Sequence, residues 1–183
     1  MNKRKDRGFT LVEVIVAMTL SILILGGVMG SFMMFVRSSI RLANYEEMET
    51  RATRGLEFLA RDARMAQKIA TDAPSGAAAS RNIQEITLTV PKTDGTTTTV
   101  VYKFVAADKT FVRTVGANTQ TLITDIVSGT GSFLAYNLSQ ALAANDYETN
   151  QIKITMTASP DTKGLFASTT KRIISARFVL RNR

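Results

Sequence analysis

The chain of 183 residues contains no cysteine and no histidine. Without cysteine there is no disulfide and no thiolate metal site, so the staple common to small extracellular domains is missing. Without histidine, zinc centres of the common kind and imidazole-based acid–base catalysis drop out. The 15 Asp and Glu residues are scattered, and no periodicity converges them on one point. The loop acids Asp94, Asp108, Asp125, Asp146, Glu148 and Asp161 include potential calcium ligands, but none lies in a recognisable calcium loop, and acids in turns are usually solvated. These absences predict no enzyme, no cofactor and no bound metal.

Excess positive charge is present, at a net +8. Residues 1–8 carry +3 of it, residues 9–36 carry −1 from Glu13, residues 37–71 carry +2 and residues 72–183 carry +4. Outside the first eight residues the charge is spread without a compact basic run. Only Lys171, Arg172, Arg177, Arg181 and Arg183 gather near one end. Such a patch can touch phosphates, but a solvated terminal strand explains it as well, and a nucleic-acid partner is not expected.

The first 36 residues hold the most specific pattern. A basic head, with Lys3, Arg4, Lys5 and Arg7 opposed by Asp6, leads to Gly8 and then to Phe9-Thr-Leu-Val-Glu13. From Val14 to Val36 there are 23 residues without a charge. At about 1.5 Å per residue this is roughly 35 Å of helix, enough to cross a hydrocarbon core of about 30 Å. A cleavable secretory signal has an apolar core of only about 7–15 residues, so this segment is expected to stay in the bilayer. The basic head keeps the N-terminus cytoplasmic by the positive-inside rule, and Arg37 and Arg41 weaken that bias without cancelling it. Everything after Val36 is then extracytoplasmic.

Glu13 is an expensive residue in this setting. A charge at the centre of a membrane helix costs about 2.5–3.5 kcal/mol, and less near an end. One reading is an acid that snorkels to the interface and favours the positive end of its own helix. The other uses Gly8: cleavage after it would place a free amine on Phe9, a cationic partner for the acid in its own chain or a neighbour's.

The run Lys-Asp-Arg-Gly8-Phe9-Thr-Leu-Val-Glu13 before an apolar helix resembles the processing site of type IV pilins and the pseudopilins of type II secretion. The resemblance implies cleavage after Gly8 by a prepilin peptidase, N-methylation of Phe9, and pairing of Glu13 with the terminal amine of an adjacent subunit. It implies as partners the peptidase, other pilin or pseudopilin subunits, an inner-membrane assembly platform and, before assembly, the lipid bilayer. Many major pilins carry a proline inside the apolar stretch; here there are Gly26, Gly27 and Gly30 instead. These either loosen the helix, let helices approach closely, or are merely the glycines common in membrane helices.

Past the membrane the helix is predicted to continue. Tyr45, Met48, Ala52, Leu56, Leu59, Ala63, Ala66 and Ala70 recur at helical steps and form one apolar stripe. Glu46, Glu47, Glu49, Arg51, Arg54, Glu57, Arg61, Asp62 and Arg64 occupy the intervening positions, with Glu47–Arg51 and Glu57–Arg61 as i,i+4 pairs. Gly55 is a weak point, and Asp72-Ala-Pro74-Ser-Gly76 is expected to end the helix.

The remainder alternates as β-structure: 85–90, 98–104, 111–115, 121–127, 133–136, 151–157 and 171–180, with turns at Asp94-Gly95, at Ala107-Asp108-Lys109 and at Gly116-Ala-Asn118. One apolar face per strand suits an antiparallel sheet laid on the helix stripe.

The expected organisation is therefore α+β and pilin-like: a leader at 1–8, a membrane or filament-core helix at 9–36, its amphipathic continuation at 37–71, and a β-rich head at 72–183. The segment Leu56 to Gln67 and the terminal Arg177-Phe-Val-Leu-Arg-Asn-Arg183 resemble the minor subunits of the PilW and pseudopilin J type, the alternatives being an ordinary charged helix face and an ordinary edge strand. The expected function is a minor pilin or pseudopilin. The alternative is an unprocessed signal-anchored membrane protein with an extracytoplasmic binding domain.

Overall fold

A computed structural model describes residues 9–72, 83–159 and 171–180. The leader, the Pro74 stop signal, Asp161, Arg181 and Arg183 lie outside the described residues. The chain divides into two compact units, Met1–Leu42 and Ala43–Arg183. Helix α1, Leu11–Met65, contributes to both.

In the first unit the helix is exposed throughout its apolar run, including Leu20, Ile22, Leu23, Ile24 and Leu25. It is the one helix among the described residues long and apolar enough to cross a membrane. Its hydroxyls are satisfied within the helix: Thr19 donates to the Val16 carbonyl at 2.9 Å, Ser21 to Ala17 at 2.7 Å and Ser31 to Gly27 at 3.0 Å. A segment placed in hydrocarbon needs this internal accounting, because no water is available there to pair a free donor.

The second unit is α+β, with the later part of α1 packed on antiparallel sheet. Eight strands are found among the described residues: β1 Lys68–Thr71, β2 Glu85–Pro91, β3 Thr97–Val105, β4 Thr110–Val115, β5 Asn118–Ile123, β6 Ser132–Tyr136, β7 Gln151–Ala158 and β8 Arg172–Val179. They form two sheets rather than the single one expected: β1-β2-β3-β4-β5 and β6-β7-β8. The break falls where Gly129, in the left-handed region at φ 77°, and Gly131 interrupt the pattern. The two sheets share one core. Phe133 of β6 lies 5.1 Å from Phe104 and 6.0 Å from Phe111, ring centre to ring centre, and its amide donates to the Ile83 carbonyl at 2.9 Å.

Strand registers follow the alternation. Ile152, Ile154, Met156 and Ala158 of β7 are buried, and Ile154 faces Phe133 on one side and Ala176 on the other. β5 begins at Asn118, earlier than expected, because the turn needs only Gly116 and Ala117. Gly116 supplies a φ of 58°, and Val115 pairs directly with Asn118; two-residue hairpins favour such a residue. β5 also stops at Ile123, and Ile126 instead bridges to Ala158.

The helix stops at Met65, short of Ala70. Gln67 donates its amide to Thr89 at 2.8 Å, and Lys68–Thr71 then pairs with β2. The free edge of β2 offers these four residues a ladder. On a strand Ile69 faces the core and Ala70 faces out. On the helix Met48, Ala52, Leu59 and Ala63 are buried as the stripe requires, whereas Tyr45 is exposed. Gly55 is buried too. A Cβ there would stand 3.3 Å from side-chain carbons of Leu122 and Ile123, so the glycine permits close approach of helix to β5. The Glu47–Arg51 pair forms at 2.6 Å. Arg61, by contrast, turns to the Phe58 ring at 5.3 Å and to Asp62 at 3.5 Å rather than to Glu57.

Asp62, assigned by pattern to the solvent side, is buried. Its Oδ2 accepts from Tyr102 Oη at 2.7 Å and from Arg113 Nε at 2.8 Å, and Arg113 Nη2 stands 2.7 Å away. A buried carboxylate is tolerable only when paired and hydrogen-bonded, and here both conditions hold. Burial, and after it the Asp62 carboxylate, push the Tyr102 hydroxyl far above its ordinary pKa. Burial works against the Arg113 charge, yet its bonds to Asp62 and Tyr102 outweigh that and hold its pKa above the ordinary value.

Three outcomes follow for melting of the full chain in detergent. A tyrosine whose folded pKa is raised contributes stability that is present below its unfolded pKa and lost as pH rises past it. The melting temperature is therefore expected to fall above about pH 10. Tyr102→Phe should cost about 1.5–3 kcal/mol at neutral pH and flatten that alkaline decline. Gly131→Ala drives a Cβ into the Phe104 ring, inside the aromatic cluster, and is expected to lower stability by about 1–3 kcal/mol.

Candidate functional site

The candidate site is the start of α1. Thr10 precedes the first helical residue and Glu13 lies in the first turn. The Thr10 amide donates to Glu13 Oε2 at 3.0 Å, the Thr10 hydroxyl donates to the same oxygen at 2.9 Å, and the Glu13 amide donates to Thr10 Oγ1 at 3.3 Å. This is a capping box, in which two otherwise orphaned amides are satisfied reciprocally. The Thr-x-x-Glu spacing signals it in the sequence, where attention to the acid alone passes over Thr10. The carboxylate also sits at the positive end of the helix, as one reading of Glu13 anticipated.

Phe9 is exposed, immediately before the cap. Phe9, Glu13, Val14, Ala17, Met18 and Ile22 share one open, exposed helix face. Glu13, Ala17 and Ser21 recur every four residues, so the acid is followed along that face by two small side chains. Gly8 lies outside the described residues; Phe9 and Glu13 are adjacent across one helical turn.

Other candidate groups are dispersed. Asp94 accepts from the Thr96 amide and hydroxyl at 2.9 and 2.6 Å, and these bonds hold its carboxyl below the usual range. Asp125 accepts from Thr124 at 2.8 Å, Asp146 from the Thr71 amide and hydroxyl at 3.0 and 2.8 Å, and Glu148 from Asn145 at 3.1 Å. Among the described residues no three acids gather as a metal-ligating group. Arg172 joins Glu49 at 3.0 Å and lies over Tyr45, and Arg177 lies over Tyr136 at 4.3 Å. Two cations of the terminal basic group thus have partners within the chain.

Residues 3–29 match a family model described as the prokaryotic N-terminal methylation motif. The match takes in the basic head, Gly8, Phe9, Glu13 and most of the uncharged run. It supports kinship with type IV pilins and pseudopilins, processing by a prepilin peptidase, and anchoring through the apolar helix. No curated protein matches the chain.

Removal of the cap is expected to loosen the helix start. Thr10→Ala should cost about 1 kcal/mol locally and speed hydrogen exchange of the amides at 11–14 in micelles, whereas Thr10→Ser should retain protection.

Proposed function

We propose that this chain is a non-enzymatic filament subunit, a minor pilin or pseudopilin cut after Gly8, N-methylated on Phe9 and assembled through α1. The observation that carries the reading is the methylation-motif match at residues 3–29, running into an apolar helix face that its own chain leaves exposed. In lipid that face is solvated by acyl chains. In a fibre it is covered by the helices of other subunits. The N-terminus is cytoplasmic and the head extracytoplasmic, as the basic leader dictates.

Glu13 has a different partner in each state. In the uncut chain its carboxylate is held by Thr10. Cleavage creates an ammonium at Phe9, and in the assembled fibre the amine of a neighbouring subunit neutralises the acid. A charge pair removed from water is far stronger than one at a wet surface, so the pairing favours the assembled register. The absence of cysteine, together with the likeness of 56–67 and of the final strand to the PilW and pseudopilin J type, supports a minor over a major subunit.

Mass spectrometry of the membrane-extracted protein tests this directly. The expected mature chain begins at N-methyl-Phe9; an intact leader in the functioning protein favours the signal-anchored alternative. Gly8→Ala should abolish processing. Glu13→Ala should be cleaved normally but incorporated into filaments at least about tenfold less, and normal incorporation would falsify the role given to the acid.

A further inference from the structure

We propose that a small polar cavity between α1 and the connection leaving β5 is a binding site for one internal water molecule, which joins Asn44 of the helix to the turn at Asp125.

The cavity lies within the second unit. It has a volume of about 30 Å³ and is lined by Asn44, Glu47, Arg51, Thr124 and Asp125 among others. Four of these side chains already form a hydrogen-bonded chain. Arg51 donates to Glu47 Oε1 and to Thr124 Oγ1, at 2.6 Å each, and the Thr124 hydroxyl donates to Asp125 Oδ2 at 2.8 Å. Asn44 stands outside that chain. Its Nδ2 is buried and has no hydrogen-bond partner among the described residues. A buried donor without a partner has given up its hydration for nothing, so such groups in folded proteins are nearly always paired, ordered water included.

The turn is fixed independently of the helix. Asp125 holds a left-handed φ of 59°. Its carbonyl accepts from the Ser159 amide at 2.8 Å, and the Ile126 amide donates to the Lys109 carbonyl at 2.9 Å. Closing the turn onto the amide would break those bonds.

Size and charge select the occupant. The volume matches the share of one molecule in liquid water, about 30 Å³. A cation would meet the Arg51 guanidinium and the Asn44 amide donor, and an anion would meet Glu47 and Asp125. Water is neutral, accepts from Asn44 Nδ2, and has two hydrogens for the carboxylates that line the same cavity. That satisfies the two to four partners of a typical buried water. Asp125 thereby serves a water rather than a metal. The site is independent of leader cleavage and of Glu13.

The test uses the full chain in detergent micelles, isotope-labelled at asparagine nitrogen. In rotating-frame NMR, where dipolar contact and proton exchange differ in sign, a dipolar cross-peak is expected between the Asn44 side-chain amide and the water resonance. Asn44→Leu keeps the shape of the side chain and removes the donor. It is expected to lower the melting temperature by about 2–4 °C, because the water loses a partner. An amide that was merely unpaired would give the opposite sign, since an apolar isostere relieves its desolvation. Excess calcium chloride should leave the cross-peak in place. The proposal is overturned by absence of the cross-peak in the parent protein, by a melting temperature of Asn44→Leu equal to or above the parent's, or by saturable loss of the peak with calcium, which would make the occupant a cation.

Discussion

Among the described residues the uncharged stretch Val14–Val36 is left almost wholly exposed, and that imbalance governs what the protein can be. Exposed large side chains such as Leu20, Ile22, Leu23, Leu25 and Phe32 each cost on the order of 1.5–3 kcal/mol in water relative to burial. Exposed contiguous apolar surface of that extent marks a membrane or protein contact. Lipid supplies one such environment and the helices of other subunits supply another. The same surface suits both, so in the proposed function a single helix serves first as an anchor and later in a fibre core.

Against this background the capping box gives Glu13 a definite job before any assembly. A carboxylate at the entrance to an apolar helix is held by the Thr10 amide and hydroxyl, so its charge is partly neutralised by the helix's own first turn. In the proposed mechanism the ammonium that appears at Phe9 on cleavage is a stronger partner than a neutral hydroxyl. In that proposal, exchange of one for the other couples processing to assembly.

The second unit depends on a different polar contact. Asp62 reaches from α1 to β3 and β4, where Tyr102 and Arg113 meet its carboxylate. Apolar packing of Leu59 and Ala63 leaves the helix free to slide along a greasy surface. A buried charge with two directional partners fixes its rotation and register, because any slip would strand the carboxylate or the guanidinium. Gly55 acts at another contact, where the lack of a side chain lets the helix settle against Leu122 and Ile123.

Sequence pattern alone determined the apolar helix, the later helix stripe, most strand centres and the Asp94-Gly95 turn, since each rests on near neighbours in the chain, while the leader was legible as a resemblance that the motif match at residues 3–29 supports. The tertiary structure decided what local pattern could not. It ended the helix at Met65, because the edge of β2 was free to take Lys68–Thr71 as a strand. It divided the β-structure into two sheets around the Phe104–Phe111–Phe133 cluster. It also buried Asp62, an acid indistinguishable in sequence from its solvated neighbours Glu57 and Glu49, because its partners lie 40 and 51 residues away. Helical and strand periods encode which face of an element is apolar. The pairing of one distant side chain with another is set only when the elements meet.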